Sequence, residues 1–369
     1  MAIPFVDLKA QYRNIAPDVQ RRINQVLEHG QYILGPEVFE LESKLASYVG
    51  VKHCISTSSG TDSLLMALMA LNVGPGDEVI TTPFSFMATA EVIALLGATP
   101  VFVDIDATTY NIDATKIRSV VSENTKVILP VSLFGQCADM DEINDIAREY
   151  ELAVIEDGAQ SFGATYKGNK SCGLSTLGAT SFFPTKPLGC YGDGGALFTN
   201  DDDLNRILRE IRVHGQESRY RQSRLGINGR LDTIQAAILL AKLDIFDSDI
   251  KKRALAASRY SDLLKAEIAS VEPPDILTSN VSVYAQYTIR IKNREKVIQR
   301  LSSMGIPSAV HYPGLLPAQP VFKHFVAQGD SFPIAENAAQ TVLSLPMHPE
   351  IELVEQEEVV AGLKNALDN

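Results

Sequence analysis

The chain has 369 residues, of which 45% are hydrophobic and 21% are charged, the balance of an ordinary water-soluble globular protein. Its formal net charge of −12 argues against general nucleic-acid binding, which needs clustered lysine and arginine. No apolar run is long enough to cross a bilayer, and the N-terminal residues lack the basic start and apolar stretch of an export signal. We therefore expect a cytoplasmic protein that binds neither nucleic acid nor membrane.

The predicted elements of the first 200 residues alternate short apolar runs with helical patterns. Continuous β-branched strands separated by helices are typical of a parallel sheet that is covered on both faces. The sequence therefore predicts a large α/β domain over residues 1–246. Helices are predicted within "TDSLLMALMALN" and "MDEINDIAREY", and strands are predicted in the runs "HCISTSS", "EVITTP", "TPVFVDI", "KVILPVSLF", "LAVIEDGA", "ATSFFPT" and "GGALFTN".

The pattern changes after about residue 200. "DDLNRILREIRVHG" predicts one helix, and the stretch from "LDTIQAAILL" to "YSDLLKAEI" predicts a single long helix that bridges two domains. Shorter strand and helix patterns follow, as in "SVYAQYTIRI" and "KVIQRLSSMG". They predict a smaller C-terminal α/β domain over residues 247–369.

The first motif that carries chemistry is "STSSGTDSLL", in which a predicted strand ends in small hydroxyl residues and Gly60 before a helix begins. The first turn of a helix has unpaired N–H groups and a partial positive charge, so this turn has the features of a phosphate site. A plain helix N-cap is the alternative interpretation.

The second motif is "VIEDGAQSFGA", which places Asp157 and Gln160 at the carboxyl end of an internal strand. Ligands of open α/β sheets bind at that edge. A carboxylate there loses solvation unless it meets a cation. An aspartate that caps a helix is the alternative on this segment alone.

The third motif is "ATSFFPTKPLGCYGDGGALFTN", in which Lys186 lies between two prolines, after an apolar strand and before several glycines. Burial in such a setting disfavours the ammonium and lowers the lysine pKa, which produces a Schiff-base nucleophile. A structural lysine remains the alternative. Together the three motifs fit pyridoxal 5′-phosphate, which needs a phosphate site, a carboxylate opposite its ring nitrogen and a lysine at its aldehyde.

Cys54, Cys137, Cys172 and Cys190 form no CxxC pair and have no adjacent histidine. This spacing favours free thiols in a reducing compartment over a zinc site or a disulfide framework. We expect no metal site.

These motifs resemble those of the DegT/DnrJ/EryC1/StrS family of nucleotide-sugar aminotransferases. The similarity runs from "FVDLKAQY" and "GQYILGPEVFELE" to "VHYPGLLPAQP" and "SLPMHP". It implies the aspartate-aminotransferase fold (fold type I of pyridoxal-phosphate enzymes), with a mixed, mostly parallel sheet in the large domain.

The segments "VSLFGQCADMDEIN", "SFFPTKPLGCYGDGGALFTND" and "SVYAQYTIRI" resemble one subgroup of the family. Its members aminate C3 of UDP-2-acetamido-2-deoxy-3-keto-glucuronic acid with glutamate, which becomes 2-oxoglutarate, for surface polysaccharides of the O-antigen type.

The resemblance also implies a role for individual cofactor-site residues. Lys186 would bind the cofactor and shuttle protons, Asp157 would pair with the pyridinium, and Gln160 would contact the ring hydroxyl. Phe86 would stack on the ring, although on the residues alone Phe84 is an equally good apolar aromatic. The cofactor phosphate would be bound by Gly60, Thr61 and Ser181. The resemblance also implies a homodimer with shared active sites, in which Asn228 of the neighbouring subunit completes the phosphate site. One departure is Gly158, where relatives usually have alanine, and it should leave the chemistry intact.

Three residues are candidates for sugar binding. His311 and Tyr312, in "VHYPG", lie in a loop that the resemblance places near the sugar. Arg230 is a candidate for a sugar carboxylate because a guanidinium can bind a carboxylate through two hydrogen bonds. A salt bridge at a subunit interface is an equally good interpretation of Arg230.

Three other functions are alternatives to C3 amination. One is amination of C4 in a UDP- or dTDP-linked 4-keto-6-deoxy sugar, which would offer Arg230 no carboxylate. A second is a sugar dehydratase, but related dehydratases have histidine in place of the lysine. The third is a catalytically inactive sensor or interaction protein, against which the full set Asp157, Gln160, Ser181 and Lys186 argues.

Overall fold

A computed structural model describes residues 3–326 and 329–368. The helices are α1 (Leu8–His29), α2 (Pro36–Val49), α3 (Gly60–Ala70), α4 (Ala88–Leu95), α5 (Ala114–Ile117), α6 (Met140–Glu149), α7 (Asp202–Ile211), α8 (Thr233–Leu243), α9 (Phe246–Glu267), α10 (Arg294–Ser303), α11 (Pro333–Thr341) and α12 (Leu353–Asp368). The strands are β1 (His53–Thr57), β2 (Glu78–Thr81), β3 (Thr99–Phe102), β4 (Thr125–Leu129), β5 (Ala153–Asp157), β6 (Thr165–Tyr166), β7 (Asn169–Lys170), β8 (Leu177–Ser181), β9 (Gly195–Thr199), β10 (Gln216–Ser218), β11 (Arg221–Gln222), β12 (Asn280–Val281), β13 (Tyr287–Arg290) and β14 (Val342–Leu345).

The central sheet has seven strands in the order β1-β9-β8-β5-β4-β2-β3. The neighbours from β3 through β2, β4 and β5 to β8 are parallel, whereas β9 is antiparallel to both β8 and β1. The predicted mixed, mostly parallel sheet is therefore confirmed. Because the parallel strands end at one edge of the sheet, β5 delivers Asp157 to the edge where α/β folds bind ligands.

Adjacent apolar residues on these strands point to opposite faces of the sheet, which explains why the strands are continuous apolar runs. Ile155 packs with α3 and α7 on one face. Its neighbour Val154 packs with α6 on the other face. Both side chains are essentially inaccessible to solvent. The two buried faces fix β5, and with it the position of Asp157.

Two predicted elements differ from the structure. The strand predicted over "KVILPVSLF" ends at Leu129, directly before Pro130, since proline has no N–H to donate to the sheet. The single long helix is broken at Asp244 and Ile245 into α8 and α9. The break lets α9 contact two separate cores, with Phe246 in the core around α2 and α8 and Tyr260 in the C-terminal core.

The C-terminal part of the chain has its own core. The antiparallel pair β13 and β14 packs against α9, α10 and α12, and Tyr287, Leu301, Leu345 and Leu363 are completely buried there. A division of the chain at residue 246 stays a prediction. Within residues 3–326 and 329–368, no helix has both the length and the apolar character needed to cross a membrane.

Candidate active site

Asp157 lies at the end of β5 and is 7% exposed. Its Oδ2 accepts a hydrogen bond from Thr89 Oγ1 at 3.0 Å, and its Oδ1 accepts one from the Ala159 N–H at 3.1 Å. Burial raises the pKa of this carboxyl, although the two hydrogen bonds and the charge of Lys186 act in the opposite direction. The site thus holds a desolvated carboxylate that a cation would stabilise.

Lys186 lies in the loop between β8 and β9 and is half-buried. Burial lowers the pKa of its ammonium, and the nearby carboxylate of Asp157 offsets only part of that effect. The side chain is therefore more readily deprotonated than an ordinary lysine, as a nucleophilic amine must be. The structure brings Lys186 and Asp157 together, as the sequence predicts.

Gln160 links this centre to the C-terminal part of the chain. Its Oε1 accepts a hydrogen bond from the Phe134 N–H at 2.8 Å, and its Nε2 donates one to Tyr312 Oη at 3.0 Å. Burial, together with the charge of Asp157, raises the pKa of Tyr312, so its hydroxyl stays protonated. Gln160 therefore has a fixed orientation in which both ends of its amide are used.

His311 precedes Tyr312 in the same loop and is also within electrostatic range of Lys186. Its Nδ1 lies 3.0 Å from Ser344 Oγ. Burial, and to a lesser extent the charge of Lys186, lowers the pKa of His311 to about 4. The imidazole is therefore neutral at physiological pH and acts as a hydrogen-bonding group there.

The structure distinguishes Phe84 from Phe86, which the sequence alone left as equally good candidates for stacking on the cofactor ring. Phe84 is completely buried in a core cluster, whereas Phe86 is 59% exposed. The Phe86 ring centroid lies 6.4 Å from that of Tyr312. Only Phe86 is therefore both accessible to a ligand and adjacent to the other candidate residues.

Gly60 and Thr61 form the start of α3, and Ser59 caps that helix by accepting a hydrogen bond from the Asp62 N–H at 3.0 Å. A side chain at Gly60 would collide with Ser181, since an added Cβ would lie 2.6 Å from Ser181 Cβ. Ser181 ends β8, the strand that pairs with β5 at Asp157. The helix start, Ser181 and Asp157 consequently share one edge of the sheet.

Asn228 and Arg230 lie in a segment that borders the same helix start. The carbonyl of Gly229 accepts a hydrogen bond from the Ser58 N–H at 3.0 Å. Asn228 is exposed, and Arg230 is half-buried and forms no ion pair within the described residues. Within residues 3–326 and 329–368, neither Asn228 nor Arg230 forms a side-chain hydrogen bond or ion pair with Lys186. Their roles therefore remain predictions.

Sequence reasoning missed two groups that support this site. Thr89, on α4, donates to Asp157, and nothing in its local sequence marks it. Glu42, on α2, accepts hydrogen bonds from both the N–H and the hydroxyl of Ser56 at 2.9 Å and pairs with Arg212. Burial alone would raise the pKa of Glu42, but its arginine neighbours lower it below the usual range. This buried pair anchors the strand that leads into the helix start.

Comparison with known proteins decides the family. Residues 13–364 match the model of the DegT/DnrJ/EryC1/StrS aminotransferase family. The chain belongs to the DegT/DnrJ/EryC1/StrS aminotransferase family. The family predicted from the sequence motifs is thereby confirmed.

Three similar proteins show how far the likeness extends. UDP-2-acetamido-2-deoxy-3-oxo-D-glucuronate aminotransferase of Pseudomonas aeruginosa is 54% identical over 98% of this chain and 100% of that protein. A UDP-N-acetyl-3-dehydro-α-D-glucosamine 3-aminotransferase of Acidithiobacillus ferrooxidans is 40% identical over 99% of this chain and 97% of that protein. The crystal structure of NtdA from Bacillus subtilis, with bound cofactor PMP, is 30% identical and has a TM-score of 0.90, covering 99% of this chain and 83% of that one.

Proposed function

We propose that this protein is a pyridoxal-phosphate-dependent aminotransferase that moves the amino group of L-glutamate to C3 of UDP-2-acetamido-2-deoxy-3-keto-D-glucuronic acid. The product sugar would supply a bacterial surface polysaccharide of the O-antigen type. The observation that carries this proposal is the 54% identity to the Pseudomonas aeruginosa enzyme along that protein's whole length. The convergence of Lys186 and Asp157 at one sheet edge gives the chain the residues that this reaction needs.

The residues present fit pyridoxal phosphate. Asp157 is a buried carboxylate whose pKa is raised by desolvation, and a protonated ring nitrogen would supply the cation that it lacks. The N–H groups of Gly60 and Thr61 at the start of α3, with the hydroxyl of Ser181 beside them, match a phosphate. The NtdA structure shows that this fold accommodates the amine form of the cofactor.

When bound, the cofactor acts as an electron sink and carries the amino group between the two substrates. The chain's own residues control the protons. Lys186, with its lowered pKa, would take a proton from the carbon of the donor and return one to the carbon of the sugar. Asp157 would keep the ring nitrogen protonated, Gln160 would bind the ring hydroxyl, and Phe86 would cover one ring face.

The sugar would lie on the side of the site formed by His311, Tyr312 and Arg230. A guanidinium that has no carboxylate partner within the described residues suits the C6 carboxylate of a uronic acid. His311 is neutral, so it would donate or accept a hydrogen bond with the sugar rather than contribute charge. The carboxylate of the sugar would therefore be recognised mainly by Arg230.

We also propose a homodimer in which each active site contains residues of both chains. Asn228 is exposed in the single chain, which leaves its amide available to a second subunit. A two-fold axis would place Asn228 from each chain against the cofactor phosphate of the other and would create two equivalent sites.

The experiment that tests the reaction follows the visible absorbance of the cofactor-loaded protein. Addition of L-glutamate alone should bleach the absorbance and release one equivalent of 2-oxoglutarate per site. The Lys186→Ala variant should bind cofactor noncovalently and should show neither change. If the wild-type protein keeps its absorbance with glutamate, glutamine and aspartate, the aminotransferase proposal is wrong.

A further inference from the structure

A second lysine lies directly behind the segment that carries Lys186. Lys242, on α8, is only 2% exposed, although lysine is almost never fully buried unless it has a partner. Its Nζ donates a hydrogen bond to the Gly189 carbonyl at 2.6 Å and lies 4.2 Å from the centre of the Tyr191 ring. The hydrogen bond joins the buried ammonium to the backbone of the loop that ends at Gly189.

That loop, residues 183–189, carries Lys186 and is closed on itself, and we call it the lysine loop. At its closure the Cys190 N–H donates to the Phe182 carbonyl at 2.8 Å. Gly189 is packed so closely that an added Cβ would lie 2.6 Å from the carbonyl oxygens of Phe183 and Pro184. The conformation at Gly189 and that at Lys186 are therefore coupled, because the two residues close the same tight turn.

A second side chain of α8 holds the segment that follows the loop. Gln235 Oε1 accepts a hydrogen bond from the Tyr191 N–H at 2.9 Å. The helix thus contacts this part of the chain at two points, at Gly189, the last residue of the lysine loop, and at Tyr191, just after the loop. Of the two, only the Lys242 contact lies within the loop itself, three residues from Lys186.

Burial lowers the pKa of Lys242 to about 8, and the charges of Cys190 and Asp249 offset part of this shift. Burying a cation costs free energy that a leucine or methionine would not cost at the same position. The position nonetheless has an ammonium, and among the residues that the structure describes its hydrogen bond is to the lysine loop. Packing of α8 alone does not account for that charge.

We infer that Lys242 is a positioning residue for Lys186, acting through the Gly189 carbonyl to hold the lysine loop in the geometry that the cofactor requires. This inference rests on the proposed function. A reactive group must be held within a fraction of an ångström by supporting hydrogen bonds, and Lys242 provides that support from a rigid helix. In this role Lys242 would act through the loop backbone and not by contact with the cofactor.

The test is a double-mutant cycle on cofactor retention, measured by equilibrium dialysis against pyridoxal phosphate. Lys242→Met is made both in the wild-type protein and in the Lys186→Ala variant. With Lys186 present, the loss of one charged hydrogen bond should weaken retention by about tenfold. With Lys186 absent, retention depends on the phosphate site and on Asp157, and Lys242→Met should change it by less than about twofold.

Equal losses in both backgrounds, or no loss in either, would overturn the inference. Lys251→Met, at an exposed position on α9, is the matched control and should retain the cofactor fully.

Lys242→Arg separates charge from packing, because arginine keeps the cation but adds volume, whereas methionine keeps the volume. Positioning predicts that Arg retains more cofactor than Met, and a packing role predicts the reverse order. Wild-type protein that fails to retain pyridoxal phosphate would count against the proposed function instead.

Discussion

Gln160 Nε2 donates a hydrogen bond to Tyr312 Oη at 3.0 Å, across 152 positions of the sequence. The bond joins the segment after β5, in the large sheet, to a loop whose Ala309 exchanges backbone hydrogen bonds with Ser344 of β14, in the C-terminal part. Because the other end of the same amide accepts from the Phe134 N–H, Gln160 cannot rotate without breaking one of its two bonds. The group expected at the cofactor and the loop expected at the sugar are therefore held together by one side chain.

Asp157→Asn should leave the fold intact and nearly abolish turnover. Asparagine retains the hydrogen-bonding shape but cannot hold the ring nitrogen protonated, and removing one partner of a buried ion pair typically costs about 3–5 kcal/mol. That loss corresponds to roughly a 10²–10⁴-fold decrease in kcat. Thr89→Val, which removes one hydrogen bond to Asp157, should cost about fivefold. Near-normal kcat in Asp157→Asn would show that Asp157 does not serve the ring nitrogen.

His311 should make stability depend on pH in a defined window. Its pKa is about 4 in the folded protein and about 6.5 in the unfolded chain, so the unfolded chain binds the extra proton between these values. Its stabilising contribution is complete above pH 6.5 and is lost as the pH falls toward 4, by at most about 3 kcal/mol. Urea unfolding of the cofactor-free protein at pH 7.5 and 4.5 should show a smaller loss in His311→Gln than in wild type. The exposed His324→Gln should behave as wild type, and identical losses in all three proteins would contradict the assignment.

Some of these features could be predicted from the sequence because their signals are local. A strand end marks Asp157, and two flanking prolines mark Lys186. Other features depend on tertiary contacts that no local pattern encodes. Thr89 meets Asp157 across 68 positions, and Lys242 meets Gly189 across 53. The choice between Phe84 and Phe86 is of the same kind, since burial alone distinguishes them.

The break between α8 and α9 shows the same limit for the fold. Local helix propensity continues through Asp244 and Ile245, and the sequence therefore predicts one helix. However, α8 packs into the core around α2, whereas α9 begins in that core at Phe246 and continues into the C-terminal core. A tertiary requirement overrides the local preference there.

Arg230→Ala should change sugar selectivity more than overall activity. A charged, bidentate hydrogen bond contributes about 1.5–3 kcal/mol, so kcat/KM for the C6 carboxylate sugar should fall by roughly 10–100-fold. The analogue with a C6 hydroxyl should be affected by less than about threefold. The measurement compares the two UDP-3-amino sugars with 2-oxoglutarate in the reverse direction. Arg219→Ala is the control from the same basic stretch and should leave the ratio unchanged; equal effects of Arg230→Ala on both sugars would remove its proposed role.

Mixed dimers should recover activity from two inactive variants. Lys186→Ala lacks the amine, and Asn228→Asp places a negative charge against the cofactor phosphate. In a mixed dimer with shared sites, one site carries both defects and the other carries neither. Random exchange makes about half the dimers mixed, so roughly a quarter of wild-type activity should return. If mass analysis confirms exchange and no activity returns, Asn228 acts within its own chain, beside the Ser58–Gly229 hydrogen bond.

The most direct measurement is the reverse reaction of the wild-type protein with a panel of nucleotide-linked amino sugars, scored by the glutamate formed from 2-oxoglutarate. We predict that UDP-2-acetamido-3-amino-2,3-dideoxy-glucuronic acid has the highest kcat/KM, at least about tenfold above its 6-hydroxy analogue. UDP- or dTDP-linked 4-amino-6-deoxy sugars should react more slowly than either. A higher kcat/KM for a 4-amino-6-deoxy sugar would contradict C3 amination of a uronic acid, and glutamate from none of the sugars would contradict sugar amination altogether.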